Sequence, residues 1–478
     1  MKGTPIFDLT AYIASVKTLV VISAVALIGN VASAATLEEI YELALQNDPQ
    51  RKADVAAYEA GKETVKIARS QLLPFVRGSA NYNDRESTTE GTQFSFDPVT
   101  NTIGIQPVNQ DRASESDGWT VSLTQPLFDM GAWYSYKQGG KRSEIAEANF
   151  GASQQDFIIR VADTYISVLR AIDTLDSSLA ERRALESQLE QVRQRFEVGL
   201  TAITDVHDAQ AQYDSVNANT LLAEGNLGIA FEALEVLIGV TPDAVAPVSD
   251  TFPVNPPQPA QREEWVNFAL DNNYSLEAAK LNAEAARYTA LTAKSQHYPT
   301  LSGTLSYSSD NTVQDSQFGP SDTTTDGNSV SLSLNIPIYS GGGVSAQRRQ
   351  AYQQQLQAEE NYNLAQRQTV QSARSFHLAV VTGVSQVEAR RQAIISNQSS
   401  LEATQAGYEV GTRNLVDVLL AQRNLYQAQR AYSAVLYDYI INTLRLKQTA
   451  GTLTPEDIDQ LNQFLDAANQ IRRSDYGQ

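Results

Sequence analysis

The sequence predicts a mainly α-helical protein with a smaller β part, built from two similar halves that each contain a very long helix. Three observations support this fold class. Motifs recur in the same order along the chain, heptad-like apolar spacing runs for far longer than in a globular domain, and short segments of alternating polarity lie between the helices. A duplication of about half the chain therefore governs the architecture.

The duplication is visible in three pairs of motifs. The pairs, which keep their order along the chain, are 195–199 with 407–411, 122–128 with 333–339, and 68–74 with 293–299. Their offsets are 212, 211 and 225 residues. Three matches in one order rarely arise by chance, so each half is expected to read helix, strand, strand, long helix, turn, helix.

Long helices follow from the spacing of apolar residues, which in the first half keeps a heptad pattern from Ile158 to Leu179. The predicted first helices, each ending at a proline, are 36–73 and 262–298, and the predicted long helices are 132–197 and 343–409. At 1.5 Å per residue a long helix measures ~100 Å, which exceeds any globular core. The pattern favours helices packed side by side as a coiled coil, and a plain structural coiled coil remains open for the helices alone.

Four short segments with alternating polarity lie between the helices. They are near 75–84, 119–128, 300–309 and 329–338. One face of each is apolar, and small hydroxyl residues on the other face fit a wet lumen better than a packed core. Each segment is close to the 9–11 residues with which a tilted strand crosses an outer membrane. The polar segments 85–117 and 310–328 are predicted as the loops that join each pair.

The number of strands has a consequence for assembly. Four strands cannot close a barrel, because about eight is the minimum. An open sheet edge in lipid would leave unpaired backbone groups, each costing several kcal/mol. We therefore expect a barrel shared between identical chains, with eight strands from two copies or twelve from three. A soluble four-stranded sheet with one wet face is the alternative.

The chain is predicted to divide into five parts. These are a signal peptide (1–34), a first repeat (35–240), a proline-rich linker (241–261), a second repeat (262–450) and a C-terminal segment (451–478). The signal peptide is inferred from Lys17, a short apolar run and the small residues that end at Ala34, since that run is too short to span a bilayer. The C-terminal segment is predicted to form a helix that starts at Pro455 and runs to about Ile471.

Composition narrows the function classes. The formal net charge is −19 without a basic patch, which disfavours nucleic acid as a partner. The chain contains no cysteine, so disulfides, thiolate metal sites and a cysteine-linked lipid anchor are excluded. His207, His297 and His377 lie in different segments without metal-ligand spacing, and no phosphate loop, nucleophile elbow or acid–base pair is present. The sequence thus predicts no metal, no cofactor and no enzymatic activity.

These motifs resemble those of the TolC family of outer-membrane efflux proteins over essentially the whole chain after residue 34. The segments that carry the resemblance are 68–74, 125–130, 195–213 and 407–419. The resemblance implies a homotrimer with a twelve-stranded β-barrel in the outer membrane and a coiled-coil α-barrel that extends into the periplasm. It also implies a passive exit duct for efflux or type I secretion, docked onto a periplasmic adaptor and an inner-membrane transporter of RND, ABC or MFS type.

The resemblance further implies a gate at the periplasmic tip, where the two repeat turns would lie. In the family, polar links between helix pairs hold this tip shut, and by motif position the residues are Thr204, Asp205, Tyr408 and Arg413. An Arg–Asp ion pair and a Tyr–Asp hydrogen bond are reasonable links, each worth ~1–3 kcal/mol if partly buried. Ordinary helix capping by Asp205 and packing of Tyr408 are the alternative.

An acidic constriction is implied just above the gate. Asp417 would project into it, and threefold symmetry would bring three carboxylates into one ring that attracts cations. The family has a second acidic residue three positions later, where this chain has Leu420. Either the constriction selects cations less strongly, or Asp208 supplies the second charge.

A soluble periplasmic coiled-coil adaptor or scaffold is the main alternative function. Adaptors usually carry a lipoyl-like β-domain with glycine-rich hairpins, and the sequence contains no such pattern. Fractionation separates the two hypotheses, because a duct would be recovered with the outer membrane and an adaptor in the soluble fraction.

Overall fold

The structure is a computed structural model that describes residues 36–99, 101–249, 251–316 and 319–476. The predicted signal peptide at 1–34 lies outside the described residues. The first half contains, in chain order, α1 (Leu37–Asn47), α2 (Pro49–Ser70), β1 (Phe75–Asp97), β2 (Thr102–Phe128), α3 (Met130–Glu197) and α4 (Ile203–Ile238).

The second half repeats this order after a short bridging strand. Its elements are β3 (Ala244–Val245), α5 (Arg262–Asn272), α6 (Tyr274–Ser295), β4 (Thr300–Ser316), β5 (Gly319–Asn335), α7 (Gly343–Glu409) and α8 (Leu415–Thr449). The last described elements are α9 (Glu456–Asn462), β6 (Ile471–Arg472) and a 3-10 helix (Arg473–Tyr476). Helices form most of the described chain, which confirms the predicted class of a mainly α protein with a β part.

The first helix of each half is interrupted at the same repeat position, contrary to the prediction. Asp48 separates α1 from α2, and its carboxylate accepts hydrogen bonds from two backbone N–H groups of α2 at 3.1 and 3.2 Å. Asn273, 225 residues later, separates α5 from α6 and accepts one such bond at 2.9 Å. Because each side chain caps the unpaired N–H groups of a new helix, the single helices predicted at 36–73 and 262–298 are in fact helix pairs.

The four long strands form one antiparallel sheet in the order β1-β2-β4-β5. They are longer than predicted, with 23 residues in β1 and 27 in β2. The predicted loop at 85–117 belongs to the β1–β2 hairpin, in which Arg85 pairs with Ser114. The predicted loop at 310–328 is likewise mostly strand. Both loop predictions were wrong. Residues 85–93, 106–117 and 310–328 are mostly polar, so they give little alternation signal, whereas Phe94 and Phe96 pair with Ile105 and Ile103 in a short alternating pattern at the outer end of the hairpin.

The part of the sheet predicted from alternation has one apolar and one polar face. One row of neighbours across all four strands is apolar and consists of Val76, Leu123, Leu305 and Val330. The adjacent row is polar and consists of Arg77, Ser122, Ser306 and Ser329. In the polar row the hydroxyls of Ser306 and Ser329 hydrogen-bond at 2.8 Å. Val76, Leu305 and Val330 are exposed in the single chain and Leu123 is half-buried, so this apolar face is expected to be covered by lipid or protein instead of water.

The main hydrophobic core lies where α3, α4 and α8 pack together with α1 and α9. The predicted heptad positions on α3 supply much of it, and the buried ones are Ile158, Val161, Tyr165, Val168, Ile172 and Leu175. The Tyr165 hydroxyl donates to the carbonyl of Ala246 at 2.7 Å and accepts from its N–H at 3.0 Å. The segment after α4 is thereby fixed against the middle of the long helix.

The C-terminal segment differs from the predicted helix that reaches Ile471. Helix α9 has only seven residues. The Asp466 carboxylate then accepts hydrogen bonds from the N–H groups of Ala468 (3.1 Å) and Asn469 (3.2 Å), which forms a turn instead of a further helical turn. After this turn β6 pairs with β3, so the segment crosses back to the residues that follow α4.

Candidate functional site

Two glycine turns reverse the chain, one between α3 and α4 and one between α7 and α8. Gly199 and Gly411 have φ angles of +78° and +79°, which are left-handed values that favour glycine. The N–H group after each glycine donates to the carbonyl of Arg195 or Gly407, in both turns at 2.8 Å. Both are Schellman caps, so the duplicated sequences form the same local structure.

The two hairpins that end in these turns are joined near their tips by two apolar clusters, here called the tip clusters. The first lies between α3, α4 and α8 and buries Leu185, Leu189, Val192, Ala209, Val216, Leu415 and Leu419. The second lies between α7 and α8 and buries Leu401, Val418, Ala421 and Leu425. Tyr408 packs against both tip clusters, so its ring lies at the contact between the hairpins.

Thr204 and Asp205 lie in the first turn of α4, close to the Gly199 turn. The half-buried Asp205 carboxylate accepts a hydrogen bond from the hydroxyl of Thr201, whereas Thr204 is exposed. A carboxylate at this position also suits the positive end of the helix dipole. Within a single chain, Asp205 therefore stabilises its own turn.

Arg413 and Asp417 lie at the corresponding place in the second repeat. Arg413 Nη1 is 3.9 Å from Asp417 Oδ2, and both side chains are at least partly exposed. Asp417 also completes a capping box, because its N–H donates to Asn414 Oδ1 at 2.8 Å and its carboxylate accepts from the Asn414 N–H at 3.5 Å. An exposed ion pair contributes only ~0–1 kcal/mol, so little energy holds Arg413 to Asp417.

Thr204 and Asp205 lie together at the Gly199 turn, and Tyr408 and Arg413 lie together at the Gly411 turn. Within the residues that the structure describes, these four form no hydrogen bond or ion pair between the two turns. Among the hydrogen bonds and ion pairs of residues 36–99, 101–249, 251–316 and 319–476, none joins Thr204 or Asp205 to Tyr408 or Arg413. The Arg–Asp and Tyr–Asp links stay predictions for the assembled protein.

The predicted constriction residues lie on two helices. Asp417 is half-buried in the first turn of α8, and Leu420, one turn further on, is exposed. These two positions share one helix face, since residues three apart are neighbours on a helix. Asp208 is exposed on α4 in the other hairpin. A ring formed by Asp417 stays a prediction.

Arg195 was not predicted as a functional residue, and the structure places it against the gate. The carbon at the centre of its guanidinium lies 4.8 Å from the centre of the Tyr408 ring, within cation–π range. Arg195 belongs to the first hairpin and Tyr408 to the second, so this contact joins the two repeats. The one sequence signal for this role is a difference between the two repeats, because the second repeat has Gly407 at the position of Arg195 in the first.

Histidine and carboxylate side chains do not gather into a metal site in the described part of the chain. No group of three or more His, Cys, Asp or Glu side chains is arranged there to hold a metal ion. His377 Nε2 lies 3.1 Å from the carbonyl oxygen of Ala260, which is a packing contact of α7 with the segment before α5. Among the same residues, every helix is either too short or too polar to cross a lipid bilayer.

An amphipathic sheet with two open edges, joined to helices far longer than a globular core, defines a membrane-anchored protein whose helices extend well beyond the membrane. A family model described as outer membrane efflux protein matches residues 40–240 and 265–452. The chain belongs to this family.

Individual relatives match nearly the whole chain. The outer membrane protein TolC of Vibrio cholerae serotype O1 is 35% identical over 458 residues, which cover 95% of this chain and 100% of that protein. The proteases secretion protein PrtF of Dickeya chrysanthemi is 30% identical, with 96% and 97% covered. The crystal structure of the outer membrane protein VceC from Vibrio cholerae has a TM-score of 0.69 at 19% identity, covers 87% of this chain and 96% of its own, and supports the fold.

Family membership assigns the chain to the outer membrane, with helices that extend into the periplasm, as an exit duct for exported compounds. The outer-membrane exit duct predicted from the sequence is confirmed. The soluble periplasmic adaptor receives no support from these relatives, which belong to a transport family.

Proposed function

We propose that three copies of this chain form one closed, passive duct through the outer membrane and the periplasm. The sheet of a single chain ends in the edges of β1 and β5. Because unpaired backbone groups are costly in lipid, both edges need a partner strand. The β5 edge of a neighbouring copy is the natural partner of β1, and such head-to-tail pairing closes into a ring.

Three copies are favoured over two by the width of the resulting barrel. Two copies would supply eight strands, and the interior of an eight-stranded barrel is mostly filled by its own side chains. Three copies supply twelve strands and leave a lumen. The polar row that contains Ser122, Ser306 and Ser329 would face this lumen, and the row that contains Leu305 and Val330 would face lipid.

The helices support the same ring closure. Helix α3 packs on α4 and α8, and α8 packs on α7, so α4 and α7 are the outermost helices of the two hairpins. Both carry exposed apolar side chains, which are Leu221, Ile229 and Val236 on α4 and Leu364, Leu378 and Ile395 on α7. We expect these surfaces to meet between neighbouring copies, because that contact removes apolar area from water.

In the proposed assembly each repeat, 35–240 and 262–450, contributes one hairpin to the periplasmic wall. The linker (241–261) and the C-terminal segment (451–478) surround its middle. The tip docks onto a periplasmic adaptor and an inner-membrane transporter of RND, ABC or MFS type. The proteases secretion protein PrtF, similar over nearly its full length, supports exported proteins as cargo beside small compounds.

The proposed gate is a lock between the two hairpins at the tip. Arg413 and Tyr408 of one hairpin would bind Asp205 of another, with Thr204 beside it. Two observations support this lock: the exposed Arg413–Asp417 pair is weak, and the Tyr408 ring already lies between the hairpins. Opening would break these links and separate the turns.

Conductance tests the proposed function. Purified protein in planar lipid bilayers is expected to give discrete cation-preferring steps of low conductance, because the tip is locked. Combining Asp205→Ala with Arg413→Ala should raise the conductance several-fold, since both charged partners of the lock are lost. Asp466→Ala, an exposed carboxylate in the C-terminal turn, should leave it unchanged. Trimeric protein without any cation-preferring conductance would overturn the duct.

Asp417 is expected to control block by divalent cations. In Asp417→Asn the side chain can still accept the bond from the Asn414 N–H, while the proposed ring loses three charges. Half-block should then need about tenfold more divalent cation, as expected when a carboxylate near the ion is neutralised. The matched control is Asp214→Asn, whose side chain bonds Gln210 on α4. Unchanged block in Asp417→Asn would remove Asp417 from this role, and a change in Asp208→Asn would support Asp208 as the second charge.

A further inference from the structure

Within the duplicated motif 195–199, which returns at 407–411, the two copies differ at the first two positions. With an offset of 212 residues, Arg195 corresponds to Gly407 and Phe196 corresponds to Tyr408. Phe196 is 41% exposed, whereas Tyr408 packs against both tip clusters. The two turns thus have the same backbone conformation, but the side chains at these two positions make different contacts. The difference lies where the hairpins meet.

The structure explains why the second copy has no arginine. A Cβ atom added to Gly407 would lie 2.8 Å from the Cγ of Arg413 and 3.2 Å from the hydroxyl oxygen of Thr412. The Gly407 carbonyl also accepts from the N–H groups of Thr412 (2.8 Å) and Arg413 (3.2 Å), so the following turn folds closely over this residue. A side chain at Gly407 would displace Arg413, and only the first repeat can carry a long residue here.

The long residue of the first repeat reaches the second hairpin. The Arg195 guanidinium lies 4.8 Å from the ring centre of Tyr408, well inside the ~6 Å limit for cation–π attraction. Among the ion pairs of the described residues, none involves Arg195, so no carboxylate competes with the ring. Arg193, two residues earlier, bonds Gln210 of its own hairpin at 2.6 Å.

We propose that Arg195 is a positioning residue of the gate, whose guanidinium stacks on the Tyr408 ring and holds the two hairpins together at the tip. This inference rests on the proposed gated duct. It assigns two separable roles to Tyr408. The ring binds Arg195, and the hydroxyl is left for the link to Asp205. Opening the tip then breaks a cation–π contact between Arg195 and Tyr408. No carboxylate takes part in this contact, so it does not depend on the protonation of one.

A double-mutant cycle measured by single-channel conductance tests this proposal. Arg195→Ala is expected to raise the occupancy of the high-conductance state about threefold, as predicted for loss of one partly exposed cation–π contact. The same increase is expected in a Tyr408→Phe background, because phenylalanine keeps the ring. In a Tyr408→Ala background, Arg195→Ala should add nothing, because its partner is already absent.

Matched variants separate this role from a general effect on folding. Arg195→Lys keeps the positive charge at the end of α3 and should restore most of the closed state, since lysine also binds aromatic faces. Arg193→Ala removes an arginine that bonds within its own hairpin and should conduct like the wild type. Trimer stability on a native gel should be equal in all variants.

The possible results separate failure of this inference from failure of the duct. Arg195→Ala that conducts like the wild type, while Asp205→Ala with Arg413→Ala opens the channel, would overturn the role of Arg195 and leave the duct intact. An effect of Arg195→Ala that is equally large in the Tyr408→Ala background would overturn the contact between the two side chains. Absence of conductance from every variant, including the wild type, would instead overturn the duct.

Discussion

Replacing Phe231 with alanine is expected to cause a large loss of stability. Phe231 is 0% exposed in the main core between α3, α4 and α8. The guanidinium of Arg473, from the C-terminal segment, lies 5.5 Å from its ring centre. Alanine would leave a cavity beneath that segment, and the free energy of unfolding should fall by ~3–5 kcal/mol.

The measurement is the urea midpoint followed by helical circular dichroism in detergent, with Phe94→Ala as the control. Phe94 is 75% exposed on β1, so its removal should change the free energy of unfolding by less than ~0.5 kcal/mol. Equal midpoints for the two variants would show that the middle of the long helices is not the stabilising core.

Replacing Arg430 with alanine is expected to lower the free energy of unfolding by a similar amount, because it leaves a buried negative charge without its partner. Arg430 Nη1 lies 2.8 Å from Glu181 Oε2, and the Glu181 side chain is only 6% exposed. The pair joins α8 to α3, that is, the second repeat to the first. Removing the cation leaves an uncompensated carboxylate in the core, at a cost of ~3–5 kcal/mol.

A second arginine pair between the same two helices provides the control. Arg170 of α3 bonds Asp438 of α8 at 2.7 Å, and both side chains are exposed. Arg170→Ala should therefore cost only ~0–1 kcal/mol. Combining Arg430→Met with Glu181→Leu should recover most of the loss, because neither side chain then carries a charge. An Arg430→Ala variant as stable as Arg170→Ala would contradict the argument.

The long helices were predictable to within a few residues. Helix α7 spans the predicted range 343–409, and α3 begins two residues before the predicted 132. The C-terminal ends of α3 and α7 are determined by local sequence, because Gly199 and Gly411 each supply the left-handed residue of a Schellman cap. The heptad positions that include Val161 and Tyr165 were equally clear, since period and burial are linked on a helix.

The lengths of the strands and the breaks in the first helices could not be predicted in the same way. The polar stretches 85–93, 106–117 and 310–328 give little alternation signal, because such a signal needs one apolar face, and they separate the short apolar pattern of Phe94 and Phe96 from the rest of β1. The break at Asp48 lies within a predicted helix, because the helical pattern on both sides hides the new start that Asp48 and Pro49 form as N-cap and first residue of α2. The turn at Asp466 depends on its side chain bonding two later N–H groups, which the helical pattern did not suggest.

Local sequence patterns were enough to predict the duplication, the long helix and two membrane strands of each half, and the turns at which the long helices end. These features depend on period, alternation and glycine, which act over a few residues. Which parts of the two repeats contact each other became clear from the packing of the helices. Equivalent turns have the same local fold, yet they sit in different surroundings, so Arg195 meets Tyr408 while Gly407 is covered by its own turn. Contacts between residues more than two hundred positions apart depend on how the helices pack, and no local pattern encodes that packing.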